Sequence, residues 1–127
     1  MTKTSFRYFS HPELVCRCGC QREEMAPGFM LQLELLREQL GFPLYVASAF
    51  RCPEHNVQVS TTGANGPHTT GRAIDIRVYG GQAHQLVRAA TERGFTGIGV
   101  RQRGDYATRF IHLDTLVHPK RPWVWSY

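Results

Sequence analysis

The sequence predicts an α+β domain with a mostly antiparallel sheet and flanking helices. Helical and β-type segments follow one another without the regular strand–helix–strand order that a parallel sheet requires. Two β-type segments near the C-terminus stand next to each other across a short turn, which is typical of an antiparallel hairpin. The 127 residues, 42% of them hydrophobic, are enough to bury one core, so we expect a single compact domain over residues 1–127.

The composition excludes a membrane-spanning chain. No apolar run approaches the ~18–20 residues that span a bilayer, so we expect no membrane insertion. The first ten residues are interrupted by Lys3 and Arg7, so we expect no signal peptide. The net charge of +5 favours a polyanionic partner, either nucleic acid or the anionic polymers of a bacterial wall. The basic residues are scattered, so charge does not distinguish between these two partners.

Hydrophobic spacing, proline and glycine define the elements of the first half of the chain. Residues 1–26 are expected to form a loop-rich N-terminal arm. From Pro27 onwards, apolar residues recur at helical spacing until Gly41, which stands where a glycine commonly ends a helix. Residues 44–50 form a short apolar segment with a proline on either side, which predicts a buried strand that delivers Arg51 to its end.

A short helix, a loop and a strand follow in the middle of the chain. Residues 53–59 can form a short helix, and the Gly, Asn and Thr content of residues 60–67 indicates an irregular loop. Residues 72–79 are rich in β-forming residues and alternate in polarity. We therefore expect Asp75 to lie on the face of this strand opposite to Ile74.

The last third of the chain predicts a second helix and a hairpin. Residues 82–93 show an amphipathic helical pattern that ends at Gly94. Two antiparallel strands are expected at residues 97–102 and 109–116, joined by a turn. The period of two places three side chains of the last strand on one face: Phe110, His112 and Asp114.

The four cysteines leave three interpretations open. Cys16, Cys18 and Cys20 alternate along the arm, and Cys52 lies far away in sequence. Zinc sites normally use cysteine pairs separated by two to four residues, so this spacing is a poor match to a zinc motif. The interpretations are reduced structural thiols, a metal site that Cys52 completes, and a disulfide.

Two histidines and one aspartate form the sharpest chemical pattern in the sequence. His68 lies on the predicted loop, and Asp75 and His112 lie on predicted strands. Two neutral imidazoles and one carboxylate match the ligand set of a catalytic zinc ion, which keeps a fourth position open. A shared metal would also offset the cost of burying these polar side chains. The alternative is a loop histidine, a paired strand carboxylate and a core histidine.

Three motifs occur in a fixed order: SAFRCPEHN at residues 48–56, HTTGRAID at 68–75 and FIHLD at 110–114. Their order and spacing resemble those of the LAS-type zinc peptidases, the superfamily of D-alanyl-D-alanine carboxypeptidases and murein endopeptidases (peptidase family M15). The segment FSHPELVC at residues 9–16 is similar to the small subfamily found in phage and bacterial wall-processing proteins.

The resemblance implies a site residue by residue. It implies a hedgehog/DD-peptidase-like fold, with Zn²⁺ as the cofactor. Its zinc motifs fall on His68, Asp75 and His112, which are the implied metal ligands. Arg51 is implied to face the substrate and the developing oxyanion, and we expect Ser48 to contact the substrate as well.

The resemblance also implies an activity and a partner. The activity is zinc-dependent hydrolysis of an amide bond in the stem or cross-link peptides of peptidoglycan, by an endopeptidase or a carboxypeptidase, including a phage lysin. The expected partners are peptidoglycan or muropeptides, with no nucleic acid, and we expect a monomer. In the absence of a signal peptide, such a protein is made in the cytoplasm and reaches the wall after release or delivery by other factors.

The sequence departs from the family pattern at the general base. Many members place Glu or Asp three residues before the last zinc histidine, or a second His two residues before it, and here these positions hold Arg109 and Phe110. The candidate that remains is Asp114, either as the base or as a carboxylate that orients an imidazole. The weaker candidates are His55, His84 and His118.

Two small residues and two tryptophans also lie near the expected site or could line it. Gly66 stands where a small polar residue is common, and Ala49 follows Ser48 where the family commonly has glycine. Trp123 and Trp125 could line a substrate groove, but we expect them to close the core beside the last strand.

Three other functions fit parts of the sequence. A relative that lost the base would be a non-catalytic, zinc-bearing wall-binding domain. A cysteine-zinc module could bind nucleic acid, although no aromatic-basic strand signature accompanies the cysteines. An iron oxygenase could use His112 and Asp114 with a distant histidine, but only His118 follows and the chain is too helix-rich for a jelly roll.

Overall fold

The computed structural model describes residues 6–127 of the chain. In chain order, its helices and strands are α1 (His11–Leu14), α2 (Pro27–Leu40), β1 (Tyr45–Ser48), α3 (Pro53–Val59), β2 (Ala73–Arg77), α4 (Gly80–Glu92), β3 (Gly97–Arg101), β4 (Phe110–Asp114) and β5 (Trp123–Ser126). Three short 3₁₀ turns lie at Gly63–Asn65, Pro67–Thr70 and Tyr106–Thr108.

The five strands form one sheet in the order β1-β2-β4-β3-β5. All neighbouring strands are antiparallel except β3 and β5, which are parallel. The predicted α+β class with a mostly antiparallel sheet is therefore confirmed. The predicted hairpin is also present, as β3 and β4.

The apolar core lies between one face of the sheet and the two longer helices. The strands contribute Ile74, Ile76, Ile98, Ile111 and Leu113 to it. The helices α2 and α4 contribute the buried side chains that the helical spacing predicts, together with Ala89: Phe29, Met30, Leu33, Leu36, Ala83, Leu86 and Ala90. Burial of these side chains holds the sheet and both helices together.

Most predicted elements have the expected type, with small differences at their ends. The bounds of α2 and α3 match the prediction, and Gly41 ends α2 in the left-handed conformation with φ of 75°. Helix α4 begins two residues earlier than expected, at Gly80. The strands are shorter than expected, and β2, β3 and β4 pair with one another along their whole observed lengths. Along residues 6–127, no helix combines the length and apolarity needed to cross a bilayer.

The N-terminal arm is fastened to the domain. Residues 1–5 of the predicted arm lie outside the described residues, and residues 6–26 contain one helical turn, α1. Leu14 at the end of this turn is fully buried, and its carbonyl accepts a hydrogen bond from the Phe50 backbone. At the other end of the arm, the Ala26 backbone donates to the Gly71 carbonyl.

Strand β5 was not predicted, and it completes the sheet. Its backbone joins β3 through hydrogen bonds from Trp123 to Thr96 and from Tyr127 to Val100. A four-residue parallel edge strand leaves little periodic signal in a sequence, so pattern analysis missed it.

The face of the sheet away from the core carries one continuous row of residues. Strand pairing sets Ser48 opposite Asp75, Asp75 opposite His112, His112 opposite Gly99, and Gly99 opposite Trp125. Because directly opposed residues share a face, this row brings two of the predicted metal ligands together at the middle of the sheet.

Candidate metal centre

The three predicted metal ligands meet above the middle of the sheet. Asp75 and His112 face each other on β2 and β4, and His68 reaches them from the 3₁₀ turn at Pro67–Thr70. Their side chains are buried, with exposed fractions of 6%, 1% and 5% for Asp75, His112 and His68. Their donor atoms all lie within 4.8 Å of one another.

A backbone carbonyl fixes the ring orientation of His68. Its Nδ1 lies 2.7 Å from the carbonyl oxygen of Ala49. A carbonyl oxygen only accepts hydrogen bonds, so Nδ1 carries the proton and donates it. The other ring nitrogen, Nε2, then faces Asp75 Oδ1 at 3.2 Å.

A carboxylate and a guanidinium fix the ring orientation of His112. Its Nε2 lies 2.8 Å from Asp114 Oδ2. Arg121 donates to both oxygens of the same carboxylate, at 3.0 and 2.9 Å. Burial raises the pKa of Asp114, but the hydrogen bonds from His112 and Arg121 outweigh it and lower this pKa to about 2. The ionised carboxylate therefore accepts the Nε2 proton, and Nδ1 of His112 faces Asp75 Oδ1 at 3.0 Å.

A zinc ion fits this donor set. In their neutral forms, both histidines direct a lone pair at the same oxygen of Asp75, which is repulsive unless a proton or a metal ion lies between them. Imidazole nitrogen and carboxylate oxygen are common zinc ligands. The second ring nitrogen of each histidine is hydrogen-bonded to an acceptor, as is usual for metal-binding histidines.

Neighbouring groups shift the pKa values of Asp75 and His112 in opposite directions. Burial raises the pKa of Asp75, but the charge of His68 and the hydrogen bonds from His112 and His68 hold it well below its usual range. Burial lowers the pKa of His112, but hydrogen bonds from Asp114 and Asp75 outweigh it and raise this pKa. Without a metal, these hydrogen bonds favour the protonated form of His112, in which Nδ1 donates to Asp75.

The guanidinium of Arg51 lies beside the same carboxylate. Its NH2 nitrogen lies 3.6 Å from Asp75 Oδ2. Its Nε donates to Ser48 Oγ at 3.1 Å, and its NH1 donates to Asn56 Oδ1 at 3.1 Å. The structure thus brings the predicted Arg51 to the centre and places Ser48 in contact with this arginine.

A cavity of about 560 Å³ opens onto the centre. Arg51, His68, Asp75 and His112 all line it. Aromatic side chains line it as well, namely Phe110, Trp123, Trp125 and Tyr127. The cavity is large enough for a segment of a peptide, and it exposes the donor set to such a ligand.

The family model of peptidase M15 matches residues 7–114. The chain belongs to the peptidase M15 family. A search of curated proteins found no match. The resemblance inferred from the three motifs is thereby confirmed at the level of the family, and membership indicates a peptidase. The side chains of His68, Asp75 and His112 form a candidate metal site in it.

Arg121 is a residue of this M15 chain that the sequence analysis missed. It lies beyond the matched residues and forms the paired hydrogen bonds to Asp114. Its only signal in the sequence was a basic side chain among other scattered ones. That signal could not identify a partner, since the contact depends on how the chain returns from β4 to β5.

Asn56 is the last residue of the SAFRCPEHN motif, and its role could not be predicted from the sequence. It is fully buried, accepts from Arg51, and donates to Thr62 Oγ1 at 2.9 Å. Gly66 leaves room for these groups, because a Cβ there would overlap Thr62 Oγ1 and lie 2.7 Å from Asn56 Nδ2. The Thr62 hydroxyl thus occupies the space of the polar residue that was expected at position 66.

The prediction that Trp123 and Trp125 close the core is wrong. Trp123 is 46% exposed, Trp125 is half-buried, and both line the cavity of the M15 centre. The Trp125 ring lies 5.0 Å from the His112 ring, centroid to centroid. Strand β5 extends the site-bearing face, so its indoles line the cavity instead of entering the core.

The remaining candidates lie elsewhere. His84 and His118 are exposed and His55 is half-buried, and none of them lines the cavity. Arg109, which replaces the expected base, donates to the Gly104 carbonyl. The four cysteines form a separate cluster away from the cavity.

Proposed function

We propose that this chain is a zinc-dependent peptidase that hydrolyses an amide bond in the stem or cross-link peptides of peptidoglycan. The observation that carries the proposal is the His68, Asp75 and His112 donor set at a cavity that Arg51 also lines. The net charge of +5 suits an anionic wall polymer. The substrate lies outside the cytoplasm, so the enzyme would reach it after release or delivery by other factors, as a phage lysin does.

Three side chains would hold the zinc ion. These are His68 through Nε2, His112 through Nδ1, and Asp75 through its carboxylate, because these atoms face one another. When bound, zinc polarises a carbonyl group and lowers the pKa of a coordinated water. The Ala49 carbonyl and the Asp114 carboxylate keep the two rings in the orientation that presents these nitrogens.

Arg51 would bind the oxygen on which negative charge develops, or a substrate carboxylate. A guanidinium can donate two parallel hydrogen bonds to such a group. Its Nε and NH1 contacts to Ser48 and Asn56 hold the side chain in place at the cavity. We therefore assign Ser48 to positioning Arg51, where the resemblance had suggested a direct substrate contact.

Asp114 would orient His112 instead of removing a proton. It is fully buried, and its oxygens accept hydrogen bonds from His112, Arg121 and the Leu116 backbone. An oxygen with these partners has no open side for a water molecule. Of the two roles considered for Asp114, the geometry favours the orienting one.

A second candidate function has an observation of its own. Among the described residues that line the cavity, Asp75 is the only carboxylate, and it belongs to the donor set. The general base that many family members carry therefore has no equivalent carboxylate here. This absence favours a zinc-bearing domain that binds wall peptides without cutting them.

Digestion of purified sacculi tests both candidates. The peptidase should release fragments whose masses identify the bond, while the His68→Ala and His112→Ala variants release none. The His84→Ala variant is the matched control, because His84 is exposed and lies outside the cavity. Sedimentation with sacculi but no fragments from the zinc-loaded wild type would contradict the peptidase and support the binding domain.

A further inference from the structure

We propose that Cys16, Cys18, Cys20 and Cys52 bind a second, structural zinc ion. Their ligand atoms all lie within 4.8 Å of one another. The sulfurs of Cys16, Cys18 and Cys52 are separated by 3.5, 3.6 and 3.7 Å. A tetrahedral zinc site with Zn–S bonds of ~2.3 Å has sulfur–sulfur edges of about 3.8 Å, which is close to the observed triangle.

The arrangement of the sulfurs favours a metal over a disulfide. Three of them form a nearly equilateral triangle, so no pair is set apart from the others. Disulfides would draw the sulfurs together in pairs, whereas one zinc ion takes four thiolates at similar separations in a closed structural site. Soft thiolate ligands also favour zinc over hard cations such as calcium or magnesium.

The backbone of the arm is shaped to gather the three alternating cysteines. The Cys16 amide donates to the Arg22 carbonyl at 2.9 Å, which closes a tight loop over residues 16–22. Within this loop, Gly19 and Gln21 both adopt a positive φ, of 92° and 66°. Left-handed residues reverse the chain within a few positions, so an alternating spacing can still surround one ion.

The fourth cysteine is bound to the loop through its backbone. The Cys52 amide donates to the sulfur of Cys16 at 3.3 Å. Amide donation to sulfur stabilises thiolate character, which metal binding requires. Cys16 and Cys52 are buried and Cys18 and Cys20 are exposed, so a reagent or a metal ion can reach the cluster from one side.

The cluster shares no residue with the first centre, but it touches the segment that positions it. Cys52 directly follows Arg51 and stands at the start of α3, which carries Asn56. Ala49, whose carbonyl orients His68, lies three residues before Cys52. A zinc ion at the cysteines would therefore join the N-terminal arm to the β1–α3 connection, and so hold Arg51 and His68 in place.

Zinc content separates the two centres. We expect about two zinc ions per chain in the wild type. The His68→Ala, His112→Ala double variant should keep about one, and the Cys18→Ser, Cys20→Ser double variant should keep the other. The cysteine variant replaces the two exposed thiols because these changes disturb the core least.

A measurement on the histidine variant covers the case in which the cysteine variant fails to fold. Cobalt in place of zinc should give thiolate-to-metal charge-transfer absorption in the near ultraviolet, which nitrogen and oxygen ligands do not produce. An organomercurial that reacts with thiols should abolish this absorption and release the metal. Both readouts are independent of peptidase activity, so a failure of the proposed function leaves them unchanged.

Several results would overturn the inference. One is a wild type with a single zinc ion together with a histidine variant that has none. Another is rapid reaction of all four thiols of the zinc-loaded native protein with Ellman's reagent. Iron in place of zinc, or cysteines that resist alkylation in the denatured, unreduced protein because they form disulfides, would overturn it as well.

Discussion

The two histidines of the M15 centre use different ring nitrogens towards Asp75. His68 presents Nε2 because its Nδ1 donates to a backbone carbonyl, and His112 presents Nδ1 because its Nε2 donates to Asp114. Each orientation thus depends on one acceptor. The consequences for zinc can be tested at each of these residues.

Replacing Asp114 by asparagine should weaken zinc binding. The amide keeps the shape of the side chain but removes the charge that holds His112 and Arg121. We expect zinc affinity to fall by roughly 10–100-fold and excess zinc to restore much of the activity. Activity titrated against free zinc measures both, with Asp105→Asn at an exposed position as the control. A loss of turnover by about 10²–10⁴-fold at unchanged zinc affinity would instead identify Asp114 as the base.

Replacing Arg51 by lysine should lower the rate without removing zinc. Lysine keeps the charge but cannot donate the paired hydrogen bonds of a guanidinium. We expect at least about a tenfold loss in rate on wall substrate, equivalent to ~1.4 kcal/mol. The Arg88→Lys change on the exposed side of α4 is the control. Full activity at normal zinc content in the Arg51 variant would remove this residue from the mechanism.

Zinc affinity of the M15 centre should rise with pH. The pKa of His112 is raised above its usual value of ~6.5, so a larger fraction of the protein carries the Nδ1 proton at a given pH. This proton must leave when the metal binds. The pKa of Asp75 is lowered, so its carboxylate is already ionised and adds no such dependence. Binding should therefore tighten as the pH increases and level off above the raised pKa.

Calorimetry in buffers of different ionisation enthalpy measures the protons released in this reaction. The Cys18→Ser, Cys20→Ser variant is used so that the four-cysteine site does not take up zinc. We expect protons to be released when zinc binds near pH ~6.5, and fewer of them as the pH rises. Affinity independent of pH, with no proton released, would show that His112 is neutral before the metal binds.

At the level of elements, β3 supports the site with backbone alone. Gly97 lies opposite Asp114 and Gly99 lies opposite His112. A Cβ at Gly97 would overlap the Asp114 carboxylate, and one at Gly99 would lie 2.7 Å from Trp125 Nε1. The strand thus leaves the space that the functional side chains of its neighbours occupy.

The Gly97→Ala change should therefore destabilise the fold. The methyl group would push the Asp114 carboxylate away from His112 and Arg121, and overpacking of this kind costs about 1–3 kcal/mol. Urea denaturation should show a lower midpoint for this variant. The Gly81→Ala change is the control, because a Cβ there meets nothing within 4 Å, and equal midpoints for both variants would refute the argument.

Elements with a long or repeated pattern could be predicted from the sequence, and those fixed by distant pairing could not. The apolar spacing and Gly41 gave α2 its exact bounds, and alternation placed Asp75 and His112 on the site-bearing face. The predicted position of Trp125 was wrong because the actual position depends on the parallel pairing of β5 with β3. The cysteine spacing was ambiguous for a similar reason, since two left-handed residues and a contact with Cys52 complete that cluster.

At the level of the whole molecule, the C-terminal segment completes a centre whose ligands all lie before it. The family match ends at Asp114, while Arg121 and β5 follow. Arg121 pairs with Asp114 and packs over Trp125, with its guanidinium carbon 5.0 Å from the ring centroid. One side chain thus joins the carboxylate behind His112 to the aromatic wall of the cavity.

Removing the Arg121 side chain should lower the free energy of unfolding. In an Arg121→Ala variant, the buried Asp114 carboxylate loses its guanidinium partner and keeps only His112, and breaking a buried ion pair costs about 3–5 kcal/mol. Thermal unfolding of the zinc-free protein should show a lower midpoint, with the exposed Arg103→Ala as the control. A midpoint equal to that of the control would mean that Asp114 does not need Arg121.

The glycines of β3 also restrict which substitutions the site can accept during evolution. On its site-bearing face, Gly97 and Gly99 admit no side chain without displacing Asp114 or Trp125. Side chains at the cavity rim, Trp123 on one side and residues 59–61 on the other, can change without touching Gly97, Gly99 or the groups that these glycines face. Substrate preference can diverge at this rim while the chemistry beneath it stays the same.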